Sequence, residues 1–151
     1  MITFSITGLP ELRAKFARLS KALDPADILD EAQAILLNRI RTRFLGEVDP
    51  DLVPWPPSAA ALKRKSGGYT MRGGKKYYST GTLFETGTLF HSINAYRIDD
   101  NTRGIGTDVP YAKYHQFGTE KLPARVFLGF NQNDLMVMES RIVQRVSEAI
   151  Q

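Results

Sequence analysis

At 151 residues the chain has the length of one domain, and its composition, 42% hydrophobic and 24% charged, is that of a folded globular protein. It contains no cysteine, which excludes disulfides, thiolate metal sites and cysteine nucleophiles. The net charge of +4 is concentrated between Leu52 and Phe84, a stretch that contains six cations and no acidic residue.

The N-terminus predicts a strand and carries no targeting signal. Ile2, Phe4 and Ile6 alternate with polar residues, a period-two pattern typical of a half-buried strand. The segment lacks the basic start and apolar run of a signal peptide, and no apolar run in the chain approaches the ~20 residues of a membrane span. We therefore expect a protein made in the cytosol that has no membrane partner.

Two helices are predicted next. Pro10 suits the first turn of one helix, and apolar residues follow it at helical spacing. The second helix has Asp24 as its cap, Pro25 at its first position and Gly46 as its stop, a length of about 20 residues. Its apolar stripe consists of Ile28, Ala32, Ile35, Ile40 and Phe44.

Residues 47–85 show no helical or strand period apart from a short helix predicted at 59–65. Prolines come first, and glycine pairs interleaved with cations and tyrosines follow. A loop of this length inside a compact domain is unusual and tends to be functional or disordered. We interpret residues 1–151 as a single domain with a long, partly mobile basic arm at 47–85 that orders on contact with a partner.

Regular structure is predicted to resume after the arm. Strands at 89–98 and 103–107 are joined by a turn at 99–101, and a short helix that Gly118 ends follows them. A strand at 126–130 precedes a last helix capped by Asn131. The buried stripe of that helix consists of Leu135, Met138, Ile142, Val146 and Ile150. The predicted class is α+β: a small antiparallel sheet packed against two N-terminal helices and a C-terminal helix, with a long extended basic loop.

No catalytic, cofactor or metal site is predicted. His91 and His115 have no metal spacing, and His91 is expected on a strand face. The run Gly73-Gly74-Lys75-Lys76 lacks the spacing of a phosphate-binding loop and is interpreted as flexible linker.

The basic arm and its tryptophan each leave two alternatives open. The cations Lys63, Arg64, Lys65, Arg72, Lys75 and Lys76 would neutralise nucleic-acid phosphates while tyrosines stack on bases, or the arm would bind another protein. Trp55 would anchor the arm to a partner surface, or it would pack back onto its own domain.

Five motifs in the second half occur in an order that resembles the phage virion morphogenesis family, the tail-completion and head–tail joining proteins of tailed bacteriophages. They are Trp55-Pro56; Thr86-Gly87-Thr88-Leu89-Phe90-His91-Ser92-Ile93; Gly106-Thr107; Tyr111-Ala112-Lys113-Tyr114-His115-Gln116-Phe117-Gly118; and Pro123-Ala124-Arg125 with Phe127-Leu128-Gly129. The resemblance covers about half the chain, from Trp55 to Gly129. Val126 stands where the family usually has a proline, and residues 66–81 carry no motif of the family.

The resemblance implies a structural virion protein of α+β fold without enzymatic activity or cofactors. Such proteins form homo-oligomeric rings, often hexameric, at the neck of the virion, where they join the tail to the head connector. The implied partners are further copies of the chain, the head connector or adaptor, and tail terminator or tail tube proteins, with non-specific proximity to packaged DNA. The protein would be made in the host cytoplasm. The alternative function is a small nucleic-acid-binding protein that uses the basic residues of 63–76.

Two sets of residues are expected to matter. The predicted partner or subunit interface consists of Trp55, Pro56, Pro57, Lys63, Arg64, Lys65, Lys75, Lys76, Tyr77, Tyr78 and Arg125. The predicted structural motif, which holds the short helix against the sheet, consists of Tyr111, Tyr114, His115, Phe117, Gly118, Pro123 and Phe127. Arg125 would fix a loop of its own chain or a neighbour's carboxylate.

Overall fold

The structure, a computed structural model, describes residues 9–151, with side chains from Arg13 onward. The strand predicted around Ile2–Thr7 lies outside the described residues. The helices are α1 Leu9–Ala22, α2 Pro25–Leu45, α3 Ala59–Lys65, α4 Thr88–Ser92, α5 Ala112–Phe117 and α6 Gln132–Ile150. The strands are β1 Thr70–Arg72, β2 Lys75–Tyr77, β3 Asn94–Arg97 and β4 Arg103–Gly106, paired as two antiparallel hairpins, β1–β2 and β3–β4. The α+β class is confirmed.

Helix α2 is the central element, and its predicted ends are confirmed. The Asp24 side chain accepts hydrogen bonds from the backbone N–H groups of Ala26 at 2.9 Å and Asp27 at 3.3 Å. Pro25 occupies the first turn, and Gly46 is the C-cap. One side of α2 contacts the β3–β4 hairpin and another contacts α6, which also packs along α1.

The core lies around the C-terminal end of α2. The Phe44 ring meets Trp55 edge-on at 5.3 Å between centroids, Phe90 at 5.5 Å and Phe127 at 5.8 Å. The core is completed by Ile40, Leu89, Ile93 and Ala112. Residues far apart in the sequence therefore share one apolar cluster, and burial of such rings supplies most of the stabilisation of a domain.

The segment 47–85 contains a helix and a β-hairpin, in contrast to the extended loop predicted for it. Helix α3 is where the sequence predicts it, with the Ser58 hydroxyl accepting a hydrogen bond from Ala61 N at 3.1 Å. The expectation of a flexible linker at Gly73-Gly74 is wrong. The two glycines have φ of +54° and +76° and form the two-residue turn between β1 and β2. A type I′ turn requires positive φ at both of these positions, which glycine adopts without strain.

The predicted strand at 89–98 is wrong in its first half. Residues Thr88–Ser92 form α4, and only Asn94–Arg97 form a strand. The reason is tertiary, because the adjacent residues Leu89 and Phe90 both pack on the core together with Ile93, whereas adjacent residues of a strand point to opposite faces. His91 consequently lies in the last turn of a helix and not on a strand. The turn at 99–101 and the strand that follows it are confirmed.

No strand forms at 126–130, contrary to the prediction. The Gln116 side-chain oxygen accepts hydrogen bonds from the backbone N–H groups of Phe127 at 3.1 Å and Leu128 at 3.0 Å, and its amide donates to Leu128 O at 2.7 Å. The side chain thus takes the place of a partner strand.

Helix α6 begins at the predicted cap. Asn131 accepts from Asp134 N at 3.0 Å while the Asp134 carboxylate accepts from Asn131 N at 3.0 Å, a capping box. The predicted stripe is only half-buried, and Ile150 is 53% exposed. The residue of α6 that is fully buried is Asp134. None of the helices within 9–151 is long and apolar enough to cross a membrane.

Candidate assembly surface

Arg64 fastens the β1–β2 hairpin to the rest of the subunit. Its side chain is buried, and the guanidinium donates to Ser79 O, to Gly81 O at 2.9 Å and to the Thr70 hydroxyl at 3.1 Å. The same group pairs with Glu85 at 3.3 Å. Planar guanidinium groups satisfy several acceptors at once, so one residue fixes the base of the hairpin from both sides.

The hairpin has an inner and an outer face, because side chains alternate along each strand. Thr70 and Arg72 lie on the face that meets Glu85. The opposite side is what we call the outer face, and it consists of Tyr69, Met71, Lys76 and Tyr78. On it, Met71 is 57% exposed and Tyr78 62%. The two tyrosine rings are 5.9 Å apart, and the Lys76 ammonium lies 4.5 Å from the Tyr69 ring centroid.

Ion pairs divide the six cations of this region into two groups. Arg64 and Arg72 pair with Glu85, and Lys65 pairs with Glu47 at 3.6 Å. Lys63, Lys75 and Lys76 are exposed and have no acidic partner among the side chains of residues 13–151. Three cations without an ion pair among the described side chains therefore lie on and beside the hairpin.

Of the two alternatives for Trp55, the structure shows the second. Trp55 is 5% exposed and packs against Phe44, and its indole N–H donates to Val126 O at 3.1 Å. A ring that is covered by its own domain does not offer its surface to a neighbour, and this corrects its assignment to the predicted interface.

Arg125 fixes a loop of its own chain. It is 3% exposed, and its side chain donates to Pro56 O at 2.7 Å, while its backbone N–H donates to His115 O at 2.6 Å. Burial lowers the pKa of the guanidinium. Arg125 thus ties Pro56 of the 47–85 segment to the loop after α5, and it forms no ion pair with the described side chains of residues 13–151.

Helix α5 separates two concave regions. Tyr111, Tyr114 and His115 line a cleft of about 300 Å³ beneath Arg72 of the hairpin. On the other side of the helix, Lys113 and Phe117 line a larger groove of about 550 Å³. This groove, which we call the Phe117 groove, is lined mainly by Asp108, Val109, Pro110, Phe117, Phe127 and Leu128.

His115 is half-buried in the wall of the cleft. Burial lowers its pKa, and the positive charge of Arg125 lowers it further. Its Nδ1 atom has no hydrogen-bond partner in the described part of the chain. A neutral imidazole is thereby favoured, which suits a packing role beside Tyr111, whose ring is 6.0 Å away.

The predicted structural motif is partly corrected. Phe127 is in the core, and Tyr111 and His115 are half-buried. Phe117, however, is 79% exposed and Tyr114 47%, so neither holds the helix against a sheet. Gly118 ends the helix with φ of +73°, and a Cβ there would lie 2.8 Å from Ala124 N, so glycine is required. Pro123 is exposed.

The predicted interface set is not brought together as one surface. Trp55, Arg64 and Arg125 are buried and join parts of the subunit. Tyr77 is half-buried, and the other members are exposed: Pro56, Pro57, Lys63, Lys65, Lys75, Lys76 and Tyr78. The exposed members remain a predicted interface.

Sequence reasoning missed Tyr69, Met71 and Gln116. The first two were detectable, because a Gly-Gly pair flanked by alternating side chains is a hairpin signal. Gln116 lies within the motif at 111–118. Its hydrogen bonds to the backbone of residues 127 and 128 depend on tertiary packing, so no local pattern predicts them. Among the described residues, no group of three or more histidine or acidic side chains could hold a metal ion.

Comparison with known proteins assigns the chain to a family. A relative in Haemophilus influenzae, the Mu-like prophage FluMu G protein 1, is 27% identical over 142 residues, which cover 93% of this chain and 92% of the relative. No solved structure matches the chain. The family model described as "Phage virion morphogenesis family" matches residues 9–147. Since this match spans nearly the whole chain, the protein belongs to the phage virion morphogenesis family and has a structural or assembly role in building a bacteriophage virion.

Proposed function

We propose that this protein is a neck or tail-completion protein that forms a homo-oligomeric ring and joins the tail to the head connector. The observation that carries the proposal is the β1–β2 hairpin. Arg64 holds it at its base, and its outer face exposes Tyr78, Met71 and a lysine. Tyrosine and methionine are enriched at protein interfaces.

The ring follows from the kind of surface that the subunit presents. A ring needs head-to-tail contacts, in which two different patches of each subunit meet. The hairpin is an extension of the domain that can contact a neighbour while the core around Phe44 remains intact. No catalytic step belongs to this function, because the protein acts by binding other virion proteins.

The proposed partners on the two ends of the ring are the head connector or adaptor and the tail terminator or tail tube. Lys63, Lys75 and Lys76 would face acidic surfaces of these proteins or the packaged DNA. The proposed location is the neck of the virion.

Removal of the protein from the phage tests the proposal. A phage that lacks the gene should accumulate DNA-filled heads and complete tails that remain separate, as counted by electron microscopy of the lysate. Expression of the wild-type chain in trans should restore joined particles, and the chain should be found at the neck by antibody labelling. Joined, DNA-filled particles that lack the protein would refute this function.

The three unpaired lysines also support the alternative, binding of nucleic acid through the hairpin region. With three phosphate contacts, the logarithm of affinity for duplex DNA should fall with the logarithm of salt concentration with a slope of about −3. Filter binding between low and moderate salt, with a triple Lys63→Ala, Lys75→Ala, Lys76→Ala variant as the control, measures this slope. Binding with a slope near −3 that is lost in the triple variant would favour nucleic-acid binding as the primary function, and absent or salt-insensitive binding would exclude it.

A further inference from the structure

The outer face of the hairpin has the composition of a contact surface and not of a solvated loop. Three of its four side chains, Tyr69, Met71 and Tyr78, are large and apolar in part, and they are 38%, 57% and 62% exposed. The fourth, Lys76, adds a positive charge without an acidic partner in the described residues. A two-stranded hairpin is marginally stable by itself, so a partner on its open face would also stabilise it.

The Phe117 groove is a receptor of complementary character. It is the larger of the two concave regions beside α5, at about 550 Å³. Its walls include the apolar side chains of Val109, Phe127 and Leu128. Phe117 at its rim is 79% exposed. An aromatic ring so exposed beside an apolar groove indicates a surface that a second molecule covers.

The outer face of the hairpin carries one cation, Lys76, and the Phe117 groove carries one carboxylate, Asp108, together with Lys113. Asp108 at the groove has no ion pair among residues 9–151. The ammonium of Lys113 lies 5.2 Å from the ring centroid of Tyr114. The carboxylate of Asp108 is therefore available to Lys76, the cation of the outer face.

The two surfaces lie on opposite sides of α5. A contact between them therefore has to join two different subunits. The hairpin covers the side of α5 that carries Tyr111 and His115, whereas the groove is on the side of Phe117. A hairpin fixed at its base by Arg64 cannot reach the far side of the same helix. A contact between two different patches on neighbouring copies is the heterologous kind that closes rings.

We propose that the outer face of the hairpin of one subunit binds in the Phe117 groove of the next copy of this chain. The inference rests on the proposed ring and names the surfaces that form it. A symmetric contact between two outer faces is less favourable, because it would bring the Lys76 ammonium groups of both copies together.

Site-specific crosslinking tests the contact, since the chain has no cysteine to interfere. Met71→Cys and Phe117→Cys are introduced into one chain, and particles of a phage that carries this gene are treated with a short bismaleimide. We expect a ladder of crosslinked species whose longest member gives the number of subunits. The matched control pairs Met71→Cys with Ser140→Cys, an exposed position on α6, and should give no ladder.

A charge exchange in the Met71→Cys, Phe117→Cys background provides a second readout. Lys76→Glu and Asp108→Lys should each reduce ladder formation about tenfold or more, and the two together should restore it in part, because the exchanged pair attracts again.

The outcomes separate this contact from the ring itself. Particles that contain the protein but give no ladder, or dimers from Met71→Cys alone, would overturn the contact and leave the ring in place. Joined particles without the protein would overturn the proposed function and the contact with it.

Discussion

At the scale of single residues, Asp134 makes the most demanding set of contacts in the subunit. Its carboxylate is fully buried and accepts hydrogen bonds from Arg39 and from Arg43, the latter at 2.6 Å. Arg43 also donates to Gly129 O at 2.8 Å. A buried carboxylate is tolerated only when it is paired and hydrogen-bonded, so this cluster fixes the start of α6 against α2.

Asp134→Asn should lower the free energy of unfolding by about 3 kcal/mol, because the buried Arg43 guanidinium loses its charge partner while the amide keeps the size of the side chain. Urea denaturation followed by circular dichroism measures the loss. The matched control is Asp100→Asn, since Asp100 pairs with Arg97 on the surface and is 90% exposed. Its loss should be below about 0.5 kcal/mol, and equal effects of the two changes would contradict the role of burial.

The pH dependence of stability should report on the same carboxylate. Burial alone would raise the pKa of Asp134, but the hydrogen bonds from Arg39 and Arg43 outweigh it, and the folded-state pKa lies below the ordinary value of 3.8. At pH values near and below 3.8, where the two forms differ in protonation, the unfolded chain binds more protons than the folded one. The stabilisation is therefore present above about pH 4 and is lost as the pH falls through the folded-state pKa.

Urea midpoints from pH 7 to pH 3 would measure this dependence for the wild type and for Asp134→Asn. The wild type should lose more stability on acidification than the variant, in which the group no longer titrates. Parallel curves would show that Asp134 does not contribute to the acid sensitivity.

At the scale of elements, the β1–β2 hairpin is a local unit attached at its base. Helix α3 is the element against which β1 packs, and Arg64 supplies the polar contacts. The core residues around Phe44 lie elsewhere. Changes confined to the hairpin should therefore alter local opening and leave the stability of the whole domain nearly unchanged.

Gly74→Val should open the hairpin selectively. Gly74 has φ of +76° with no atom near its Cβ position, so the substitution meets no steric clash and acts through backbone conformation alone. A β-branched residue at positive φ costs about 1–2 kcal/mol. Hydrogen exchange should become faster for residues 70–77, while the melting temperature of the domain changes little.

Lys75→Val is the control for this change, because it places the same side chain one residue later, at an ordinary strand position. It should leave hydrogen exchange in the hairpin unaffected. Equally fast exchange in both variants would show that the turn conformation does not hold the hairpin together.

At the scale of the whole molecule, the subunit separates a core that holds it together from surfaces that are free for assembly. The core joins α2, Trp55, α4 and Phe127. The hairpin face and the Phe117 groove lie outside it and expose large apolar side chains. Assembly and folding should therefore respond to different substitutions.

Trp55→Ala should lower the free energy of unfolding of the whole domain by about 3–5 kcal/mol, because it removes a buried ring against Phe44 and leaves a cavity. Tyr78→Ala should leave the melting temperature within about 2 °C of the wild type and yet reduce the number of joined heads and tails. Thermal unfolding and particle counts measure the two effects. A fully folded Trp55→Ala variant that fails only in joining would restore Trp55 as an interface residue.

Local signals account for the parts of the fold that the sequence predicts correctly. Helix α2 begins at Asp24 and Pro25, α3 at Ser58 and α6 at Asn131. These starts are predictable because capping is a contact between residues at most three apart. The strands predicted at 126–130 and over the first half of 89–98 do not form, because distant groups govern the backbone in both places. At 89–98 the core takes the adjacent residues Leu89 and Phe90 together with Ile93, and at 126–130 Gln116 binds the backbone.

The sequence by itself determined the α+β class, the helix starts, the concentration of positive charge in one segment and the motif order that identifies the family. These depend on composition, on short-range spacing and on order along the chain. Only the tertiary structure decided which of the candidate residues face outward. Trp55, Arg64 and Arg125 are turned inward by partners 15 to 71 residues away, and Phe117 is left outside. Burial is a property of the whole packed chain, because each side chain competes for the same core, and no single segment can settle it.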